Sequence, residues 1–310
     1  MHFCCFILYI IYLMSWLYKK ETLIRTICFM SFFVAINVVC SFLTTVLPLL
    51  SIVLIIFLPL TSAIVEVLCK DRWFPIYAVA TVGLSIVVSL SSIDFTIFYI
   101  VPSIFTGYIF GLFSKRNLPN MFAIFFATII QTLLSFAFIP FLQLITGSNL
   151  IDVFAKILRI SNRFWFDSII LLLFFLVALI QIILSFIVVQ NELSKLGQKS
   201  ECKFNQERVA AFTVVGAVLS AIIISFFYMP VSYLLIGITF YFSSFVVIFQ
   251  AQSKNMRCLI TDGVSLLIGI ILYAALNQFL TNGTDFLLFL IAPGLISIIS
   301  ICYSFLKKSE

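Results

Sequence analysis

Histidine is almost missing from this sequence: among 310 residues the single example is His2. A serine–histidine mechanism therefore has no histidine in the main apolar spans to act as base, and there is no HExxH zinc motif. No G-x-x-x-x-G-K-[ST] loop is present, which speaks against ATP hydrolysis by that route. Charge is scarce too, at 10% of residues against roughly 25% in soluble domains. The acidic residues are few, Glu21, Glu66, Asp71, Asp94, Asp152, Asp167, Glu192, Glu201, Glu207, Asp262, Asp285 and Glu310, and all fall at predicted segment ends or in loops. No two read as a catalytic pair, and none reads as the mid-membrane ionisable group of an ion-driven pump. Glu66 is the deepest. It stands one turn from Lys70, an i,i+4 pair near the membrane surface. The eight cysteines contain no CxxC pair, and in or beside apolar runs they read as small hydrophobes rather than metal ligands. The expectation is a non-enzyme with no metal site and no cofactor.

What is present is hydrocarbon. Hydrophobic residues make up 63% of the chain and the mean hydropathy is +1.24. Apolar runs of about 20 residues without strand-like alternation predict an all-α, polytopic transmembrane helix bundle rather than a barrel. The net charge of +6 sits at helix ends, so it encodes topology and implies no nucleic-acid partner. About ten spans follow, near 22–44, 47–69, 73–91, 96–114, 119–145, 166–190, 208–229, 231–251, 258–279 and 284–306. Residues 2–18 form a shorter apolar run ending at Lys19-Lys20; residues 1–13 are either an extension ahead of a second start at Met14 or an extra span. With both ends of the ten-span core cytoplasmic, 15 of the 18 basic residues lie inside and only Lys156, Arg159 and Arg163 outside.

The chain divides into a lead-in (1–21), a six-helix part (22–190), a polar cytoplasmic linker (191–207) and a four-helix part (208–310). Its organising stretch is the hairpin 102–142, two apolar helices around the basic turn Ser114–Asn120, with Lys115 and Arg116 on the cytoplasmic side. Gly107 and Gly111 stand four apart on the first helix, Ala123 and Ala127 on the second, a spacing that lets membrane helices approach closely. Residues 146–165 carry Asp152, Lys156, Arg159 and Arg163 at helical spacing, which predicts a short amphipathic helix on the outer surface.

Few polar residues interrupt the apolar runs. The amides Asn37, Gln131, Gln181, Asn277 and Gln278 can bridge helices; Gln131, midway along the hairpin, is also the best ligand candidate. Gln143, Arg163 and Trp165 lie towards the outer side. They can line an outward pocket roofed by 150–163, where Arg159 or Arg163 meets an anionic group, or they can form an interfacial belt against phospholipid.

Residues 20–190 resemble the S-components, the substrate-binding membrane subunits of energy-coupling factor (ECF) transporters. The likeness is carried by KKETLIRTICFMSFFVAINVVCSFL, by PSIFTGYIFGLFSKRNLPN and by the six-helix spacing. Over its full length the chain is similar to the YybS-like family of bacterial inner-membrane proteins, which join an S-component-like half to extra C-terminal helices. The resemblance implies a vitamin or similar micronutrient bound from outside, with a transmembrane coupling subunit and ATPases as partners. It also implies that Ser31 and Ala35, four apart on the first helix, contact that subunit. The rival expectation is a non-transporting membrane scaffold or assembly factor whose four-helix half is the partner surface.

Overall fold

The computed structural model describes residues 23–47, 50–69, 71–89, 93, 96–147, 152, 156, 163–197, 206–252, 256–276 and 285–309. Residues 1–13, and most of the predicted outer helix, lie outside this set. No strand occurs among the described residues. The helices are α1 (Leu23–Val46), α2 (Leu50–Leu68), α3 (Phe74–Val88), α4 (Val101–Lys115), α5 (Asn120–Thr146), α6 (Arg163–Lys195), α7 (Gln206–Ser225), α8 (Met229–Gln252), α9 (Met256–Leu276) and α10 (Ile291–Ser309).

Six helices are long and apolar enough to cross a bilayer: α1, α3 with its preceding turn, α5, the bulk of α6, α7 and α8. The chain is a multi-pass helical membrane protein, but with six such helices among the described residues rather than ten. The apolar helices 53–68, 260–272 and 288–302 are shorter. Hydropathy counts apolar residues whatever their backbone does. The run predicted at 96–114 is a π turn, Thr96–Ile100, followed by the 15-residue α4, and the last run opens on a 3-10 segment, Asp285–Leu290.

Two compact units emerge. The first comprises residues up to 151 together with 177–202; the second comprises 152–176 together with 203–310. Local sequence explains the first unit's central hairpin. Pro102 lies in the first turn of α4, where its missing N–H is no loss. After Lys115 the chain reverses through Asn117 at φ +51°, a left-handed position asparagine tolerates. Pro119 precedes α5, and Gly147 at φ +68° ends it with its N–H on the Gln143 carbonyl.

Gly107 and Gly111 face α2. A Cβ at Gly107 would lie 2.3 Å from the Pro59 carbonyl oxygen and 2.5 Å from the Ser62 Cβ; one at Gly111 would lie 2.7 Å from the Glu66 Cβ. The two backbones touch where only glycine fits, so contact replaces the hydrophobic drive that lipid removes. Ala123 and Ala127 are buried.

In the second unit, α7 and α8 form a hairpin around Ala221, Tyr233, Ile236 and Leu290, and Ser232 donates to the Ala221 carbonyl at 2.8 Å. Its tip exposes Phe226, Phe227 and Tyr228, a cluster suited to the headgroup level.

Candidate functional site

The interior of the first unit is polar. Asn37 on α1 donates to the Tyr77 hydroxyl of α3 at 2.7 Å, and Thr61 on α2 donates to the Asn37 carbonyl oxygen at 3.0 Å. Ser62 lies 3.3 Å from the same Tyr77 hydroxyl. All four side chains are buried. The pattern continues along α3, where Tyr77, Thr81, Ser85 and Ser89 recur every four residues on the buried face, and along α1 at Asn37, Ser41 and Thr44. Ser89 bonds Thr96 at 2.6 Å. A column of hydroxyls and one amide thus runs through the helices. Some of it has no protein partner: the Ser41, Ser85, Thr106 and Ser114 hydroxyls are buried without a hydrogen bond among the described residues. In a low-dielectric interior such groups call for water or a polar guest.

One turn from Ser62, at the end of α2, is Glu66, 1% exposed. Neither of its carboxylate oxygens has a hydrogen-bond donor among the described residues. Lys115, at the end of α4, reaches over it. Its ammonium donates to the Glu66 and Cys69 carbonyls at 3.3 Å each and to Asp71 Oδ1 at 2.5 Å, but stands 3.9 Å from Glu66 Oε1. Lys115 is therefore a cap on the carbonyl end of α2, where a cation is favoured, and Asp71 takes its best-placed proton. Glu66 and Asp71 thus share one ammonium, with Asp71 the nearer. This is a carboxyl pair that sequence reading did not find: Lys115 is 49 residues away from Glu66, and Lys70, the expected partner, is outside the described residues.

The other predicted site residues are dispersed. Gln131 is buried, and its amide donates to Gln181 Oε1 at 2.7 Å, bridging α5 and α6. Gln143 is exposed. It lies twelve residues further along α5, about 18 Å at the helical rise. The Arg163 and Trp165 side chains are outside the described set. Ser31 and Ala35 are both exposed on α1. An apolar groove of 660 Å³ between α3 and α4, lined by Phe74, Val82, Val101 and Phe105 among others, suits hydrocarbon rather than a polar guest.

The amide bridge yields a measurable expectation. Gln131→Leu should lower stability by about 0.6–1.7 kcal/mol, the range for polar contacts between membrane helices. A double-mutant cycle with Gln181→Leu in thermal melts should recover part of that loss, because the partner amide is no longer stranded. Strictly additive losses would mean that the bridge does not form.

The second unit holds its own buried acid. Asp262 on α9 is 2% exposed, neither oxygen has a hydrogen-bond partner among the described residues, and the Glu207 carboxylate of α7 acts on it electrostatically. Glu207 in turn accepts from Ser300 of α10 at 2.9 Å. Among the described residues no group of three metal-ligating side chains occurs. Comparison with known protein families, with curated proteins and with solved structures finds no match in any of the three.

Proposed function

We propose that this is an S-component-like membrane protein of the bacterial cytoplasmic membrane whose first unit binds, or helps to move, a small polar solute of the vitamin or micronutrient class. The observation that carries the reading is the buried polar column of α1–α4, with four hydroxyls lacking protein partners among the described residues. A scaffold needs only packed hydrocarbon, and stranded hydroxyls destabilise it. Resemblance of residues 20–190 to S-components supports the same reading. Under it, Ser31 and Ala35 serve as the contact for a transmembrane coupling subunit whose ATPases supply the energy, and their exposure on α1 leaves them open to such a partner. Lys115 lies on Asp71, next to Arg72, and is followed by Arg116; under this reading that basic end of the first unit faces the cytoplasm.

The test is native mass spectrometry of the full chain purified in mild detergent from its host. A reproducible small-molecule adduct is expected, retained by Gln143→Ala and lost when Ser41 and Ser85 are both changed to valine. A chain that carries no adduct but a stoichiometric membrane protein, without ATPase subunits, would instead establish the scaffold.

A further inference from the structure

We propose that Glu66 is a proton-binding site, loaded from the end of the first unit where Asp71 and Lys115 meet water. The argument begins with donors. A buried carboxylate is tolerated when hydrogen bonds and a counter-charge replace its water. Glu66 has no donor on either oxygen among the described residues, and the ammonium beside it is spent on two carbonyls and on Asp71. Asp71 sits on the same ammonium, 2.5 Å away against 3.9 Å for Glu66, and brings a second acid to it. Two acids competing for one ammonium favour a proton on one of them. Asp71 is half exposed and already accepts from Lys115. The proton therefore belongs on Glu66.

The surroundings favour a proton over a metal cation. Facing Glu66 are Lys115 and Arg116 from the α4 end and Asp71 from the turn after α2; α3 contributes Tyr77, which meets Ser62 one turn deeper, and α1 contributes Asn37, which donates to that Tyr77 hydroxyl. A sodium ion would need several oxygen ligands beside an ammonium group. The two carbonyls nearest are already taken by Lys115, whereas a proton needs no ligand shell. Gly111 lies against the Glu66 Cβ and Cγ, so a change of charge on Glu66 falls on the α2–α4 crossing itself. Ser114, buried and without a partner among the described residues, is on the same helix one turn beyond Gly111.

For its purpose, as a proton taken up or released with cargo, this inference rests on the solute-handling reading. The measurement is infrared difference spectroscopy of the full chain in lipid nanodiscs, titrated from acid to alkaline pH without added solute. A protonated-carboxyl carbonyl band that shifts in deuterated water is expected, absent in Glu66→Gln and present with a displaced midpoint in Asp71→Asn. If the glutamine variant does not fold, carbon-13 glutamate labelling of the unchanged protein must shift the band. A band unaltered by either manipulation, or one removed by sodium at fixed pH, overturns the site. Absence of the band sinks the proton site alone, and absence of a solute adduct with the band intact sinks the solute reading alone.

Discussion

Replacing Gly107 by leucine is expected to cost the chain its folded first unit. The new Cβ would meet the Pro59 carbonyl oxygen at 2.3 Å and the Ala63 nitrogen at 3.0 Å. Both are backbone atoms of α2, which cannot turn aside as a flexible side chain can. Pro59 stiffens the same stretch of α2. Overpacking normally costs about 1–3 kcal/mol; a whole added side chain driven into backbone should exceed that range. Against a total stability of about 5–15 kcal/mol, the expected readout is an aggregated or strongly destabilised protein in size-exclusion and thermal-melt assays. Gly83→Ala is the control, since a Cβ there meets nothing within 4 Å. A Gly107→Leu protein that melts like the parent would mean that α2 and α4 do not cross here.

That crossing also shows what a sequence can reveal. Four-residue spacing of Gly107 and Gly111 is visible in the chain and announces a close helix contact, but not its partner. The partner is α2, whose Pro59 and Ala63 lie 48 residues upstream of Gly107 and Gly111, rather than the second helix of the hairpin. The helical character of the apolar runs among the described residues is equally legible, because period and length are local properties. Which of those runs cross a bilayer is less so: the 96–114 segment is apolar throughout, yet its backbone changes from π to α at Val101.

Candidate residues divide along the same line. Gln131 stands out as an isolated amide, and the sequence leaves open whether it bridges helices or meets a ligand. Only the fold shows Gln181 opposite it. Glu66 reads as a routine surface pair with Lys70 because the ammonium that matters arrives from α4. Tyr77 does not stand out at all. Its weight comes from the three hydroxyl and amide groups that converge on it from two other helices.

Lys115→Leu should be the second large loss, and its thermodynamic coupling reports how the Glu66 site is charged. The substitution removes an ammonium serving the Glu66 and Cys69 carbonyls and Asp71 at once. One-sided removal of a buried ion pair costs about 3–5 kcal/mol. Because the Lys115 side chain is 34% exposed, water can replace part of what it gives, so about 2–3 kcal/mol is expected here. Two cycles then discriminate. Lys115 and Asp71 touch at 2.5 Å, so Lys115→Leu with Asp71→Asn should fall clearly short of the summed single losses. Glu66 carrying a proton offers the ammonium little to attract, so Lys115→Leu with Glu66→Gln should be additive within about 0.5 kcal/mol in melts at mildly acid pH, below the Glu66 midpoint of about 7. The same cycle repeated at alkaline pH should acquire a coupling once Glu66 gives up its proton and the pair at 3.9 Å becomes one of opposite charges. A strong Lys115–Glu66 coupling at every pH would mean an ordinary buried ion pair, with Lys115 holding Glu66 permanently charged.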